Sequence, residues 1–529
     1  MNNSDQPIKT DISVPQALAA DSVAEIPRTP AYSAVDRVFA WLSYLFGYLF
    51  CRTFPLGENP LGGFLFVLVA FAVTFGVLRL KKVKMASTFL GAGISAVVFS
   101  AALILTESPF LRALAYLYAV LTYCYFLYAA FGNAMEPGFS DFVFIDYFKA
   151  IFLLPCPSLL KVFSAIAYGK AKNGMKNLLK IAAGAAIAIV PTVVVLLLLS
   201  FDDGFLKILG RIFSLDFSDI FSHIWSLLLA IPVSMYVFGL YVSSSKRLMR
   251  DTVTAEGCRK GFAAIRFVPR LTALTAVLPI LFLYVVYFIS QWQYYISGFT
   301  GVLPARFSYA EYARHGFFQL CAVSVINLII IVTIMLFMKR GGKRSCPALK
   351  ALTVIFCVFT LVLISTAVAK LVMYIDCYGL TQKRIYAMWL MTVIAIVYMI
   401  IAVGQFVPRI KTVAASVSAC VVLFGTLCLC NVNERVAQYN VDRYMAGTLE
   451  TVDMEAVERL GDSAVPSLVH LAQKIESGEV SSSGQLYGEL TGILQRRAGE
   501  IEAADTSIFS FTIPAYKAEA ALTAYGLLE

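Results

Sequence analysis

Unbroken apolar runs, of which IAAGAAIAIVPTVVVLLLLS at residues 181–200 is one, decide what this chain can become. A surface helix of a soluble protein keeps one polar face, whereas these runs are apolar all the way round. At a rise of 1.5 Å per residue, about 20 residues cross a hydrocarbon layer of roughly 30 Å. Inside that layer a helix satisfies its own backbone N–H and C=O groups. The alternating segments of about ten residues that build a transmembrane β-barrel are missing. Composition points the same way. The chain is 59% apolar and 14% charged, where a soluble domain carries about a quarter charged residues.

Apolar runs set against charged breaks predict about eleven spans: 37–53, 61–79, 86–106, 110–131, 178–200, 221–243, 268–290, 316–338, 350–375, 385–407 and 412–430. The expected fold is all-α, a polytopic transmembrane helix bundle over residues 36–430 with a small C-terminal extracytoplasmic helical domain. Residues 1–35 are polar, rich in Ser, Pro and Asp, and have no apolar core. They read as a disordered cytoplasmic tail and not as a signal peptide. Residues 431–529 change composition abruptly, with seven basic against fifteen acidic side chains. Within them, TVDMEAVERLGDSAVPSLVHLAQKIESG predicts two amphipathic helices. Asp453 would cap the first, Gly461 would stop it, and Asp462 or Ser463 would cap the second. The stretch 431–442 is expected to continue as helix straight out of the last span, with its basic and polar side chains, Tyr439 and Asn440 among them, meeting the connections 291–315 and 376–384.

Lys and Arg concentrate in loops that stay in the cytoplasm. One alternating set of connections carries twenty-four of them and the other set eight. That puts the N-terminus inside, the C-terminus outside, and the protein in the cell (plasma) membrane. The net charge of +10 is then explained by topology and by contact with the lipid bilayer, its first partner, and no nucleic acid is called for. Two connections are long. Residues 132–177 mix aromatics with lysines and predict interfacial amphipathic helices broken around Pro155 and Pro157. Residues 291–316 are dense in Trp and Tyr, as a segment at the membrane boundary should be.

Chemistry is harder to find. The eleven cysteines lie mostly inside apolar runs, and His223, His315 and His470 are too scattered for a zinc set, so no metal and no cofactor is expected. There is no phosphate-binding Walker loop, no GxSxG and no HExxH, and no catalytic residue is nominated. What remains is a polar cluster on the outer side: Glu311, Arg314, His315, Lys370, Asp376 and Arg384. Glu311 and His315 share a helix face with Arg314 beside it. Lys370 sits inside the ninth span, where an ionisable group is costly and marks a functional candidate. Lys383 and Arg384 open the tenth span against its dipole, and an acidic partner from Asp376 or the tail would repair that.

Three patches, FSYAEYARHGFFQL (307–320), STAVAKLVMYIDCYGLTQKRIYAMW (365–389) and NVNERVAQYNVDRYMAG (431–447) with the stretch after it, together resemble bacterial polytopic membrane proteins of the domain-of-unknown-function 4173 type, related to the 4153 group. The resemblance covers the chain from about Pro269 onward, with Lys370 standing where that pattern leads one to expect Arg. It implies the fold and the topology but no activity. Function is left open between two main readings. One is a transporter or channel-like bundle with an outward-facing polar cavity for a small polar solute. The other is a membrane scaffold or sensor whose extracytoplasmic tail binds a cell-envelope component. An enzyme acting on a lipid-linked substrate, with His315 or Glu311 as base, ranks below both.

Overall fold

We describe the chain from a computed structural model, for residues 32–53, 59–167, 218–250, 252–290, 317–339, 347–481, 483–503 and 507–528, with isolated helical positions between 184 and 199. The helices in chain order are α1 (Ala34–Thr53), α2 (Pro60–Leu80), α3 (Ser87–Ser100), α4 (Ala102–Leu105), α5 (Pro109–Ala130), α6 (Val143–Phe148) and α7 (Lys161–Ile166). There follow α8 (Ser218–Ser245), α9 (Ala255–Ala264), α10 (Arg270–Ser290), α11 (Phe317–Phe337), α12 (Pro347–Tyr378), α13 (Gln382–Phe406) and α14 (Thr412–Leu429). The C-terminal stretch holds α15 (Val432–Met445), α16 (Met454–Glu458), α17 (Val465–Glu476), α18 (Gly484–Ala503) and α19 (Ile513–Tyr525).

Among the described residues, 10 helices are long and apolar enough to cross a membrane, α3 and α4 together making one of them. They coincide with every predicted span except 178–200, which lies for the most part outside the described residues. The chain is therefore a multi-pass, all-helical protein of membrane type. The first span, at 20 residues, reaches about 30 Å. It runs against α8 so closely that a Cβ on Gly47 would stand 2.6 Å from the Ala230 carbonyl oxygen. Small residues let helix backbones meet in this way.

Two apolar cores lie within the spans. The first joins α1, α2, α5 and α8 through aromatic rings, with Phe39, Tyr125, Tyr128, Phe238 and Tyr241 fully buried. The second joins α10 to α13, and a polar thread runs through it. Tyr284 donates to Asn327 Oδ1, and Asn327 Nδ2 donates to Thr360 Oγ1 at 2.9 Å. A short parallel bridge, Val268 to Met338, ties the start of α10 to the end of α11.

One end of this bundle gathers the basic residues. Lys81 at the end of α2 pairs with Asp36 at the start of α1, and Asn133 donates to the Ser244 carbonyl at 3.0 Å. Residues 143–166 also pack here, broken at Pro155 and Pro157 into α6, a π turn, a 3-10 turn and α7. Their polarity is inverted relative to a soluble helix. Phe144, Phe148 and Phe152, four residues apart, are exposed, while Asp146 and Lys149 are buried. Asp146 accepts from the Tyr128 hydroxyl at 2.7 Å, and Lys149 donates to the Val253 carbonyl at 2.9 Å.

The opposite end carries residues 430–528. The helix does not continue straight from α14. Cys430 is extended, Asn431 also leaves the helical region, and Asn431 opens α15 afresh by accepting from the Glu434 N–H at 3.4 Å. Asp453 caps α16 at 3.0 Å and Gly461 stops it with φ +70°, both as the sequence suggests. The second cap departs from expectation. Residues Gly461–Ala464 form a 3-10 turn leading into α17, and neither Asp462 nor Ser463 caps it.

Candidate functional site

Of the six residues expected to form a polar cluster, Glu311, Arg314 and His315 lie outside the described residues. Lys370 is half-buried in α12, about one and a half turns below Asp376. Asp376 is 60% exposed and meets Arg443 of α15 at 3.6 Å. Arg384 does not take the acidic partner expected for it. Its guanidinium folds back over the end of α12, donating to the Tyr378 carbonyl at 3.0 Å and to the Gly379 carbonyl, with the Tyr374 ring centroid 4.0 Å away. The unpaired carbonyls and negative dipole at the end of α12 supply the partner charge instead. Across this junction the tail brings the cation, Arg443, and the bundle the acid, Asp376.

What the α12–α13 turn does offer is a docking point. Gly379 closes α12 at φ +74°, and Thr381 caps α13 by accepting from the Arg384 N–H at 3.4 Å. Between them, Leu380 presents its backbone to Asn440 of α15. The Leu380 N–H donates to Asn440 Oδ1 at 2.7 Å, and Asn440 Nδ2 donates to the Leu380 carbonyl at 2.8 Å. A carboxamide imitates a neighbouring peptide unit here, using one donor and one acceptor in register. Gly379 is required twice over, for its positive φ and because a Cβ would stand 2.6 Å from Asn440 Oδ1. Beside this latch Gln382 donates to Asn433 at 2.7 Å, and Asn433 donates to the Leu460 carbonyl at 3.1 Å.

A second latch joins the α4–α5 connection to the start of α17. Glu107 Oε2 accepts from the Ser463 N–H at 2.9 Å and from its hydroxyl at 3.0 Å. The helix that lacks a cap of its own borrows a carboxylate from the bundle, where the exposed N–H groups favour negative charge. Gly461 leaves room for it, since a Cβ there would stand 2.8 Å from Glu107 Oε2. The Asp462 carboxyl lies alongside. Burial first, and the Glu107 charge second, push it up to about 6 against the opposing pull of Arg497. Two carboxyl groups held this close share a proton most readily. Around both latches Leu111, Leu380, Ile385, Trp389 and Leu427 of the bundle enter one apolar cluster with Val436, Leu468 and Leu494.

The polar side chains expected from 431–442 do meet the 376–384 turn, through Asn440 on Leu380 and Asn433 on Gln382, while sequence reasoning missed Glu107 and Asp462 as junction residues. Glu107 had a faint signal: it is a lone acid in the short connection TESP between two apolar spans. With this geometry in view, comparison with protein families is decisive. The profile of the family described as Domain of unknown function (DUF4153) matches residues 93–471, well over half of the chain. The chain belongs to the DUF4153 family. The match favours the 4153 group over the 4173 type, and it begins in α3 instead of near Pro269. The DUF4153 region thus contains both halves of both latches, Glu107 with Ser463 and Leu380 with Asn440. No curated protein and no solved structure matches the chain.

Proposed function

We propose that this chain is a membrane scaffold or sensor of the plasma membrane, whose C-terminal helices form an extracytoplasmic unit that binds a cell-envelope component. The observation that carries the reading is the reciprocal pair of hydrogen bonds between Asn440 and the Leu380 backbone, which fixes the tail in one register on the bundle. A tail serving only as a tether would need no such register. The basic residues of the other end favour a cytoplasmic position for it by the positive-inside bias. On the tail, Ile508, Phe509, Phe511 and Tyr516 are exposed, and Phe509 lies against Gly62 near the start of α2. Such an edge suits contact with the lipid boundary while the remaining face addresses a partner.

Transport of a polar solute has less to stand on. The cavity of about 360 Å³ between α1, α2, α5 and α8 is lined by apolar and aromatic residues with no ionisable acid or base among them but Tyr and Cys. The experiment compares the full chain with a version ending at residue 430 in a strain lacking the protein. The shortened bundle is expected to insert and yet to reproduce the phenotype of the missing protein. Full complementation by the shortened chain would overturn the scaffold reading. Labelling of tail cysteines by an impermeant reagent only after the membrane is breached would overturn the orientation.

A further inference from the structure

Three helices of the first core end at one place on the basic face. The last turns of α2, α5 and α8 surround a polar cavity of about 470 Å³, and Lys81, Lys82, Lys84 and Arg247 line it together with Gly132 and Ser245. Each of the three helices closes through a residue in the left-handed region: Lys82 at φ 54°, Gly132 at φ 74° and Arg247 at φ 52°. Glycine is the usual residue at such a position because it avoids the Cβ clash. Lys82 and Arg247 are the two non-glycine residues with positive φ among the described residues, and both line this one cavity. Backbone strain concentrated around a concavity points to the side chains as the reason it is kept.

Charge makes the same point. Asp36 is engaged on the rim by Lys81 and by the Tyr241 hydroxyl at 2.7 Å, and Lys81 also donates to Ser245 at 3.3 Å. Arg247 uses Nε on the Phe131 carbonyl at 2.9 Å, which aims the rest of the guanidinium past Gly132, where Nη2 stands 3.2 Å from the position of an added Cβ. Against four cations stand one carboxylate and three helix C-termini worth about half a negative charge each, so the cavity keeps a positive balance of about one to two. Diffuse positive charge on this face would serve topology alone. A concave cluster drawn from separate helices at the depth where spans end is a different thing.

We propose that this cavity binds a phosphate group together with the polar body that carries it, at the depth of the lipid headgroups. Lys82, Lys84 and Arg247 supply the charge-assisted hydrogen bonds, and Arg247 can hold two phosphate oxygens at once. The same chemistry fits a phosphomonoester headgroup in the bilayer or a soluble phosphate compound reaching the face from the water.

The test uses the purified full chain in nanodiscs of phosphatidylcholine, with binding read as thermal stabilisation. Phosphatidic acid is titrated into the lipid, or inorganic phosphate and glycerol 3-phosphate into the buffer. A fatty acid serves as an anionic lipid without phosphate. Saturable stabilisation by phosphatidic acid assigns the site to lipid, and saturation by the soluble phosphates alone assigns it to a soluble compound. Either result supports the phosphate chemistry. Lys82→Gly combined with Lys84→Gln should weaken the apparent affinity about tenfold or more, as loss of charge-assisted bonds to phosphate predicts. The control pair Lys260→Gln with Lys339→Gln, at the same end but off the cavity, should leave it within about twofold at physiological salt. Lys82→Gly alone should melt no lower than the parent in pure phosphatidylcholine, since it relieves backbone strain. No saturation with any phosphate, equal stabilisation by the fatty acid, or equal loss in the cavity and control pairs would overturn the site. A lower melting temperature for Lys82→Gly without ligand would also overturn it, by giving that lysine a structural reason.

Discussion

Among the described helices that begin without a side-chain cap of their own, two, one at each end of the bundle, borrow a carboxylate from a distant connection. At the basic end Asp141 accepts from the Val413 and Ala414 N–H groups at the start of α14, at 3.0 and 3.2 Å. At the tail end Glu107 does the same for Ser463 before α17. The local chemistry is alike, and the surroundings are not. Asp141 is exposed, and the nearby acid Glu136 is held by Arg259 and by Lys411 at 3.2 Å. Glu107 has a second carboxyl beside it and an apolar cluster closing around it. One end is therefore joined by charges of opposite sign in contact with water, and the other, apart from the long and exposed Asp376–Arg443 pair, by neutral amide pairs, a crowded acid pair and apolar burial. The first kind of joint answers to salt, the second to pH and packing.

The largest effect is expected at the amide pair. Asn440→Ala removes both bonds to Leu380 and leaves a half-buried N–H and C=O without their partner, a loss of about 2 kcal/mol. It should appear as faster proteolysis or thiol labelling of residues 432–528 while the bundle stays intact. Full protection of the tail in this variant would mean that apolar burial alone holds it, and the contrast between the two ends would shrink.

The acid pair should make the same junction pH-dependent. The Asp462 carboxyl is raised from 3.8 to about 6, so the docked state holds more protons than the undocked one between those values. Docking is then strengthened as pH falls through about 6 and weakened as pH rises through it. Solvent screening at a partly exposed site limits the effect to on the order of 1 kcal/mol. Asp462→Asn keeps a donor toward Glu107 and has no proton to lose. It should flatten the pH profile of tail labelling and tighten docking at neutral pH. A profile unchanged by that substitution would place the titration elsewhere.

Which of these features the sequence carries depends on how far apart their residues stand along the chain. The spans are legible because twenty apolar neighbours suffice to define one, and the Asp453 cap and Gly461 stop are legible because both act within a turn. The turn at Gly379 and the cap at Thr381 are local in the same way, each acting within a few residues of CYGLTQKR (377–384). Asn440 and Leu380 are 60 residues apart, and Glu107 and Ser463 are 356 apart, so no local pattern marks them as partners. Arg384 shows a different failure. The misfit between its charge and the α13 dipole is real, but the remedy is the carbonyl end of α12, a helix terminus that a search for acidic side chains overlooks. The inversion of residues 143–152, with phenylalanines outward and Asp146 and Lys149 inward, likewise follows from the packing of α5 and α8; the amphipathic spacing marks the two faces but not which of them turns inward.

The smallest effect is expected at the basic end, where it sharpens the contrast most directly. Glu136 gathers Arg259 of α9 and Lys411 of the α13–α14 connection, at 19% exposure for its own side chain. Both cations are largely in water, so each pair is worth about 0–1 kcal/mol and is screened at a Debye length of about 8 Å in physiological salt. Glu136→Gln should lower the melting temperature slightly at low ionic strength, and the difference from the parent should vanish as salt is added. The same salt series on Asn440→Ala should leave its defect unchanged, because an amide meeting a peptide bond carries no net charge to screen. If instead the Asn440→Ala defect faded with salt and the Glu136→Gln defect persisted, the two ends would have exchanged characters, and the division between a charged joint and a neutral one would fail.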